Sequence, residues 1–291
     1  MVFSVATLLE HISRFQALTA GELLLTGTPA GVGLGVRSRL GIYRPGIVYD
    51  AAFGALVSNT IRSRRLPNRL DEAESLMKIS LSIDNGPTPD VTPRVLDTLA
   101  RLNCPASFFV LGSKINTSDG RALVQRAKKE GHRIGNHTYS HTILFGVAEE
   151  QSAAIDEVEN TQSLLDDLGS ERLFRPYGGG GFLDESIMSR TVHSHLRNGK
   201  YTCVLWNCIP LDWEDPAGWP KRAMANVRIN PWSVIVIHDL PTGAMDVLGE
   251  FINRACDIGG EFVREFPEAV TPLVRGEEIW SMQQRGLLSD R

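Results

Sequence analysis

Lys78-Ile79-Ser80-Leu81-Ser82-Ile83-Asp84-Asn85-Gly86-Pro87 is the stretch on which the fold of this chain turns. Its first six residues alternate polar and apolar, which is the period of a β-strand. Four turn formers follow at once, so the strand is expected to end in an Asx turn at Asp84. A carboxylate at that place is also well set to act as a general base, and the two readings are compatible.

Outward from this strand the chain alternates strand-like and helix-like segments. Thr92-Pro93 opens a helix through Leu102, a capping residue followed by proline at the first helical position. Strands are expected at Ala106 to Leu111, His132 to Asn136, Leu173-Phe174, Tyr201 to Trp206 and Val234 to Ile237. Helices are expected at Gly120 to Glu130, Ala148 to Leu168, Asp184 to Arg197, Pro220 to Val227 and Ala244 to Cys256, the longest with Ile155, Val158, Leu164, Leu165 and Leu168 near the helical period. Such alternation implies a parallel α/β sheet covered by helices. The polar residues choose between an open sheet and a barrel. Asp84, His137, Arg175, Asp212 and His238 each lie at or just after the end of a successive strand. A barrel converges those ends on one face, whereas an open sheet spreads them along a line.

The composition sets the limits. The chain has 291 residues, enough for one or two domains, and its formal net charge of -4 offers no basic excess for nucleic acid or an anionic membrane. The basic run from Arg62 to Arg69 has no interleaved aromatics and reads as a surface linker. No apolar run reaches about 18 residues, so a membrane span is not expected. The N-terminus has no basic region leading into a long apolar stretch, so a secretory leader is not expected and a cytoplasmic location follows. Cys104, Cys203, Cys208 and Cys256 form no CxxC pair and read as reduced, mostly buried thiols.

His137-Thr138-Tyr139-Ser140-His141 places two imidazoles four residues apart. On a helical turn that spacing stacks both rings on one face, within reach of one metal ion. Alone, such a pair is more often a surface or structural feature; the residues around it favour the metal. A third ligand would come from Asn85 or Asp84. Arg175 is either a surface ion pair or a guanidinium that keeps a catalytic carboxylate ionised. His238 follows the apolar run Val234-Ile235-Val236-Ile237, so it is either a core histidine or a general acid kept protonated by Asp212.

Taken in order, the Asp84-Asn85-Gly86-Pro87, His137–His141, Arg175-Pro176-Tyr177, Asp212-Trp213 and Val236-Ile237-His238 segments resemble the motifs of the NodB-homology polysaccharide deacetylases, carbohydrate esterase family 4. The resemblance covers about two-thirds of the chain. It implies a distorted (β/α) barrel that removes N-acetyl groups from amino-sugar oligo- or polysaccharides of the chitooligosaccharide or peptidoglycan type. It implies Asp84, Arg175, Asp212 and His238 as catalytic residues, and Tyr177, Trp213 and Val236 against the substrate. Asn85, His137 and His141 would hold a divalent metal, zinc foremost. Two departures stand out. The family's second aspartate is Asn85, which removes a negative charge from the metal site, so affinity should fall. The arginine motif is one residue shorter than the usual Arg-Pro-Pro-Tyr, which leaves the place of Tyr177 open. Gly178 to Gly181 either brings backbone donors to a substrate or forms a mobile turn.

Residues Leu23 to Gly33, LLLTGTPAGVG, with Tyr43-Arg44-Pro45-Gly46, resemble the C-terminal part of the fumarylacetoacetate hydrolase family. That family's metal-binding carboxylates lie upstream of the matching segment, which implies a truncated, β-rich, non-catalytic fragment. The expected organisation is therefore this fragment at 1–61, a linker at 62–77, the deacetylase-like domain at 78–270 and a tail at 271–291. Competing readings are a NodB-like hydrolase of another C–N bond, such as a cyclic ureide, with little metal dependence, and an inactive carbohydrate-binding barrel. The oligomeric state is not readable.

Overall fold

The computed structural model describes residues 77–291 and, before them, two short strands. These are β1 (Ile47–Tyr49) and β2 (Ser63–Arg65), an antiparallel pair within a compact unit of residues 23–75. Ser63–Arg65, expected in a linker, is therefore strand; the other readings for residues 1–76 lie outside the described residues. Residues 77 onward belong to the other compact unit.

That unit runs β3 (Met77–Gly86), α1 (Thr92–Arg101), β4 (Ser107–Val110), a single turn α2 (Gly112–Ile115), α3 (Ser118–Lys129) and β5 (Arg133–Asn136). It continues through α4 (Gln151–Asp166), β6 (Leu173–Phe174), α5 (Arg190–Asn198), β7 (Thr202–Cys203), α6 (Trp219–Ile229) and β8 (Trp232–His238). Last come α7 (Leu248–Asp257), β9 (Gly260–Phe262), β10 (Leu273–Val274) and β11 (Glu277–Glu278). Strands β3 to β7 pair in sequence and in parallel, and β8 pairs in parallel with the other edge of β3. The curl then closes. The chain beyond β7 returns to β8 through a bridge between Cys208 and Ile235, with Cys208 N–H donating to Val234 O at 3.2 Å and Val236 N–H to Cys208 O at 3.0 Å. The expected distorted barrel is what forms.

The alternation in β3 sorts its side chains into two environments. Ile79, Leu81 and Ile83 pack outward in one apolar cluster with Val95, Leu96 and Leu99 of α1, Trp219 and Met224 of α6, and Phe251 of α7. Ser80, Ser82 and Asp84 therefore face the barrel interior. Burying a polar strand face is tolerable only where its atoms are bonded. Ser80 Oγ accepts from Trp232 Nε1 at 2.8 Å and Ser82 Oγ donates to Ile235 O at 2.8 Å. The guanidinium of Arg175 occupies the space beside them, stacked over Phe109 at 4.0 Å.

Several element boundaries differ from expectation for identifiable reasons. Strand pairing stops at Cys203 rather than Trp206 because Arg175 captures two successive carbonyls, Val204 O at 3.2 Å and Leu205 O at 3.3 Å. Residues facing opposite ways in a ladder cannot both serve one guanidinium. Thr92 does not cap α1; its hydroxyl is engaged with Thr88 and Asp239. Helix α5 starts at Arg190 with Ser189 as its cap, while Asp184 binds Ser186 N–H in a local turn. Residues 271–291 are no free tail: β10 pairs with β7, Ser289 bridges to Ser189, and Met282 and Leu287 are buried. Cys104, Cys203 and Cys208 are buried free thiols and Cys256 is an exposed one. Among the described residues no helix is long and apolar enough to cross a membrane.

Candidate active site

The carboxyl ends of the strands open into a cleft of about 220 Å³ whose lining includes Asp84, Asn85, His137, His141, Tyr177, Trp213, Val236 and His238. Arg175 and Asp212, the remaining two expected residues, stand behind it, each bonded to a residue that lines it.

Asp84 and Asn85 share the cleft because of a bulge. Neighbouring residues of a regular strand point to opposite faces. Here Asp84 pairs with Phe109 and Gly86 with Val110, so Asn85 is an extra residue, and its φ of 68° is left-handed. The expected turn is thus a bulge that ends the strand at Gly86. Asp84 is 2% exposed and lies directly across from His238 in the β3–β8 register. Its Oδ1 accepts from Arg175 Nη1 at 2.9 Å. The Asn85 amide oxygen is buried without a hydrogen-bond partner.

Arg175 is fully buried, so the surface ion-pair reading is excluded. It binds Asp84, Ser82 Oγ at 2.6 Å and the two carbonyls named above. Burial works against its charge, and the Asp84 carboxylate opposes that effect.

The histidine pair does not lie on a helical turn. Residues 137–141 form a loop with left-handed Thr138 and His141. Glu157 of α4 accepts the N–H groups of Tyr139 at 3.0 Å and Ser140 at 2.8 Å, and Asn136 Oδ1 accepts that of Thr138 at 2.9 Å. These bonds hold the loop, and the rings still meet, with centroids 4.8 Å apart. Asn136 adjoins the motif, but Glu157 lies far from it in the chain and nothing in the sequence signals its role.

His137 Nδ1 lies 2.9 Å from Arg175 O, which can only accept, so Nδ1 carries the proton and the Nε2 lone pair is free. That Nε2 is 3.5 Å from Asp84 Oδ2. Burial pushes His137 down to about 3 and His141 also to about 3, the latter with His137 adding to the effect. Two neutral imidazoles, an orphaned amide oxygen, and a lone pair facing a carboxylate make a donor set that fits one divalent transition cation. Among the described residues no three His, Cys, Asp or Glu side chains group as a metal cluster, so Asn85 is the third donor this fit requires.

Across the cleft, Asp212 holds His238 twice: Oδ1 is 2.9 Å from Nδ1, and Oδ2 accepts the His238 backbone N–H at 2.8 Å. This fixes the ring with Nε2 directed away from Asp212. The Trp213 ring stands perpendicular to it, the ring centroids 4.8 Å apart. Tyr177 reaches the cleft despite the shorter motif, its ring 4.1 Å from His141. The glycine run is a pinned turn. Trp206 Nε1 donates to Gly181 O at 3.1 Å, and a Cβ on Gly178 would lie 2.5 Å from the indole. Trp206, which the sequence marks only as the end of a strand, itself lines the cleft.

A family model described as Polysaccharide deacetylase matches residues 73–197, and one described as Fumarylacetoacetate (FAA) hydrolase C-terminal matches residues 1–69. Over 191 residues the chain is 30% identical to the peptidoglycan-N-acetylmuramic acid deacetylase PdaC of Bacillus subtilis, covering 64% of this chain and 37% of that protein. The chain thus spans little more than a third of that relative's length. It is 30% identical over 161 residues to a chitooligosaccharide deacetylase of Rhizobium leguminosarum bv. trifolii, covering 55% of this chain and 71% of that one. The solved structure of a family 4 acetyl xylan esterase from Clostridium thermocellum, in complex with a cobalt ion, aligns with a TM-score of 0.53 and 25% identity over 64% of this chain and 87% of that one.

Proposed function

Because the chain belongs to the polysaccharide deacetylase family, we propose that its barrel hydrolyses the N-acetyl amide of amino sugars in oligo- or polysaccharides of the chitooligosaccharide or peptidoglycan type. The observation that carries this reading is the convergence of two partnered groups on one cleft. Asp84, bound by Arg175, and His238, bound by Asp212, stand at the ends of adjacent strands and both line it.

His137, His141 and Asn85 would hold the divalent ion, zinc foremost. Bound there, such an ion supplies Lewis-acid polarisation of the amide carbonyl and lowers the pKa of a water. The chain's own residues do the rest. Asp84 takes the proton of the attacking water, and Arg175, bonded to its Oδ1, aims it. His238 gives a proton to the departing amine through Nε2, since Nδ1 is committed to Asp212. Asp212 sets that tautomer and stabilises the imidazolium. Trp213, Tyr177 and Val236 offer apolar contact to the acetyl methyl. The acid and the base are each tied to a partner that can carry the opposite charge.

The test is acetate release from chitooligosaccharides and peptidoglycan fragments, with metal content measured on the same protein and on His137→Ala. Acetate release that follows metal content, with less metal in His137→Ala, is expected. Fully metal-loaded protein that frees no acetate from either substrate refutes the reading. Hydrolysis of a cyclic ureide after chelation would instead favour the metal-independent alternative.

A further inference from the structure

Asp239 follows His238 but does not line the cleft, and its backbone and side chain both reach back to the bulge of β3. Its N–H donates to Asp84 O at 2.9 Å. Its carboxylate lies beneath Gly86, so near that a Cβ on Gly86 would be 2.5 Å from Oδ2. Asp239 is fully buried, with Thr92 Oγ1 donating to Oδ2 and Oδ1 left without a partner. Thr88, just past the turn, donates its hydroxyl to Asp239 O at 2.6 Å and accepts from Lys114 Nζ at 2.9 Å. The turn from Asn85 to Thr88 is therefore held from behind at both ends by one residue.

We propose that Asp239 is a positioning residue: through Gly86 it fixes the bulge, and the bulge aims the Asn85 amide oxygen at the histidine pair. The inference rests on the reading of Asn85 as a metal donor. A left-handed side-chain-bearing residue costs energy, less for asparagine than for most, that its surroundings must offset. The carboxylate under Gly86 supplies that support, and it explains why position 86 has no room for a side chain. The φ of Gly86 itself is not left-handed, so an alanine there is opposed by the contact with Asp239 and not by its backbone.

Zinc affinity, measured by competition with a chromophoric chelator, tests this on the full chain, alongside thermal unfolding of each variant. Asp239→Ala should weaken zinc binding by about tenfold or more while unfolding stays cooperative. Asp239→Asn, which keeps the shape, should stay within about threefold of wild type. Gly86→Ala should weaken binding as Asp239→Ala does. The double variant Gly86→Ala/Asp239→Ala should recover part of the loss, because the methyl enters the space the carboxylate leaves. Wild-type affinity in Asp239→Ala, or no recovery in the double variant, overturns the proposal. Should Asp239→Ala fail to fold, Gly86→Ala decides, and unchanged zinc affinity there overturns it. Wild type that binds no zinc instead refutes the metal reading beneath it.

Discussion

Replacing Arg175 by methionine keeps a linear apolar stem of similar reach and removes only the guanidinium. At 2.9 Å and an effective dielectric of about 20, the attraction between Arg175 and Asp84 is about 6 kcal/mol before desolvation is deducted. Removing one partner of a buried pair strands the other, which costs about 3–5 kcal/mol. Ser82 Oγ, Val204 O and Leu205 O lose a donor in the same step. Set against a typical stability of about 5–15 kcal/mol, the variant should lie near the edge of folding. The second change, Asp84→Asn, tests the cause, because it removes the stranded charge. In urea unfolding, Arg175→Met should lose about 3–5 kcal/mol, and Asp84→Asn/Arg175→Met should be more stable than Arg175→Met by about 2 kcal/mol. A loss below about 1 kcal/mol in the single variant, or no recovery in the double, refutes the charge argument.

Acid should destabilise the metal-free protein. His137 and His141 sit at about 3 in the fold. Their unfolded value is about 6.5, so only the unfolded chain takes up protons as pH falls below it, and going from pH 7 to 5 costs about 2 kcal/mol for each. Asp239 acts with the opposite sign: burial raises it to about 6, so its contribution is present in acid and lost as pH rises through 6. It offsets about 1 kcal/mol of the loss, leaving a net fall of about 2–3 kcal/mol. Urea midpoints with chelator at the two pH values measure this, and a His137→Asn/His141→Asn variant that falls as far as wild type contradicts it. Asn85→Asp should tighten zinc binding by about tenfold or more, since it adds a charge beside the dication; chelator competition showing equal or weaker affinity removes Asn85 from the metal. His238→Ala should lower kcat by about 10²–10⁴-fold with little change in KM, and near-full kcat would remove His238 from the proton transfer. A chain starting at Leu76 should keep the turnover of the full chain; a folded but inactive product would give residues 1–75 a part in shaping the cleft.

The elements that could be read from the sequence are those whose signal is local. Strand β3 announces itself by alternation, the helices by their period, and the candidate residues by falling at strand ends in a fixed order. Each expected residue lines the cleft or binds one that does. Other features could not be read because they depend on groups far apart in the chain. Residues 137–141 have the spacing of a helical turn, but Glu157 takes the amides of Tyr139 and Ser140, and a loop results. The strand after Lys200 is cut short by a guanidinium from the preceding strand end.

The sequence by itself determined the α/β alternation, the polar inner face of β3 and the identity of the groups that meet at the barrel mouth. These follow from backbone period and side-chain type, which act over a few residues. Only the tertiary structure decided that Arg175 is buried and which four groups it binds. Tertiary contacts alone bring Asn85 beside Asp84 through a bulge, and they place Asp239 where nothing larger than glycine fits at position 86. Those outcomes depend on burial and on hydrogen-bond partners far apart in the chain, such as Asp239 and Asp84, and local propensity carries no information about either.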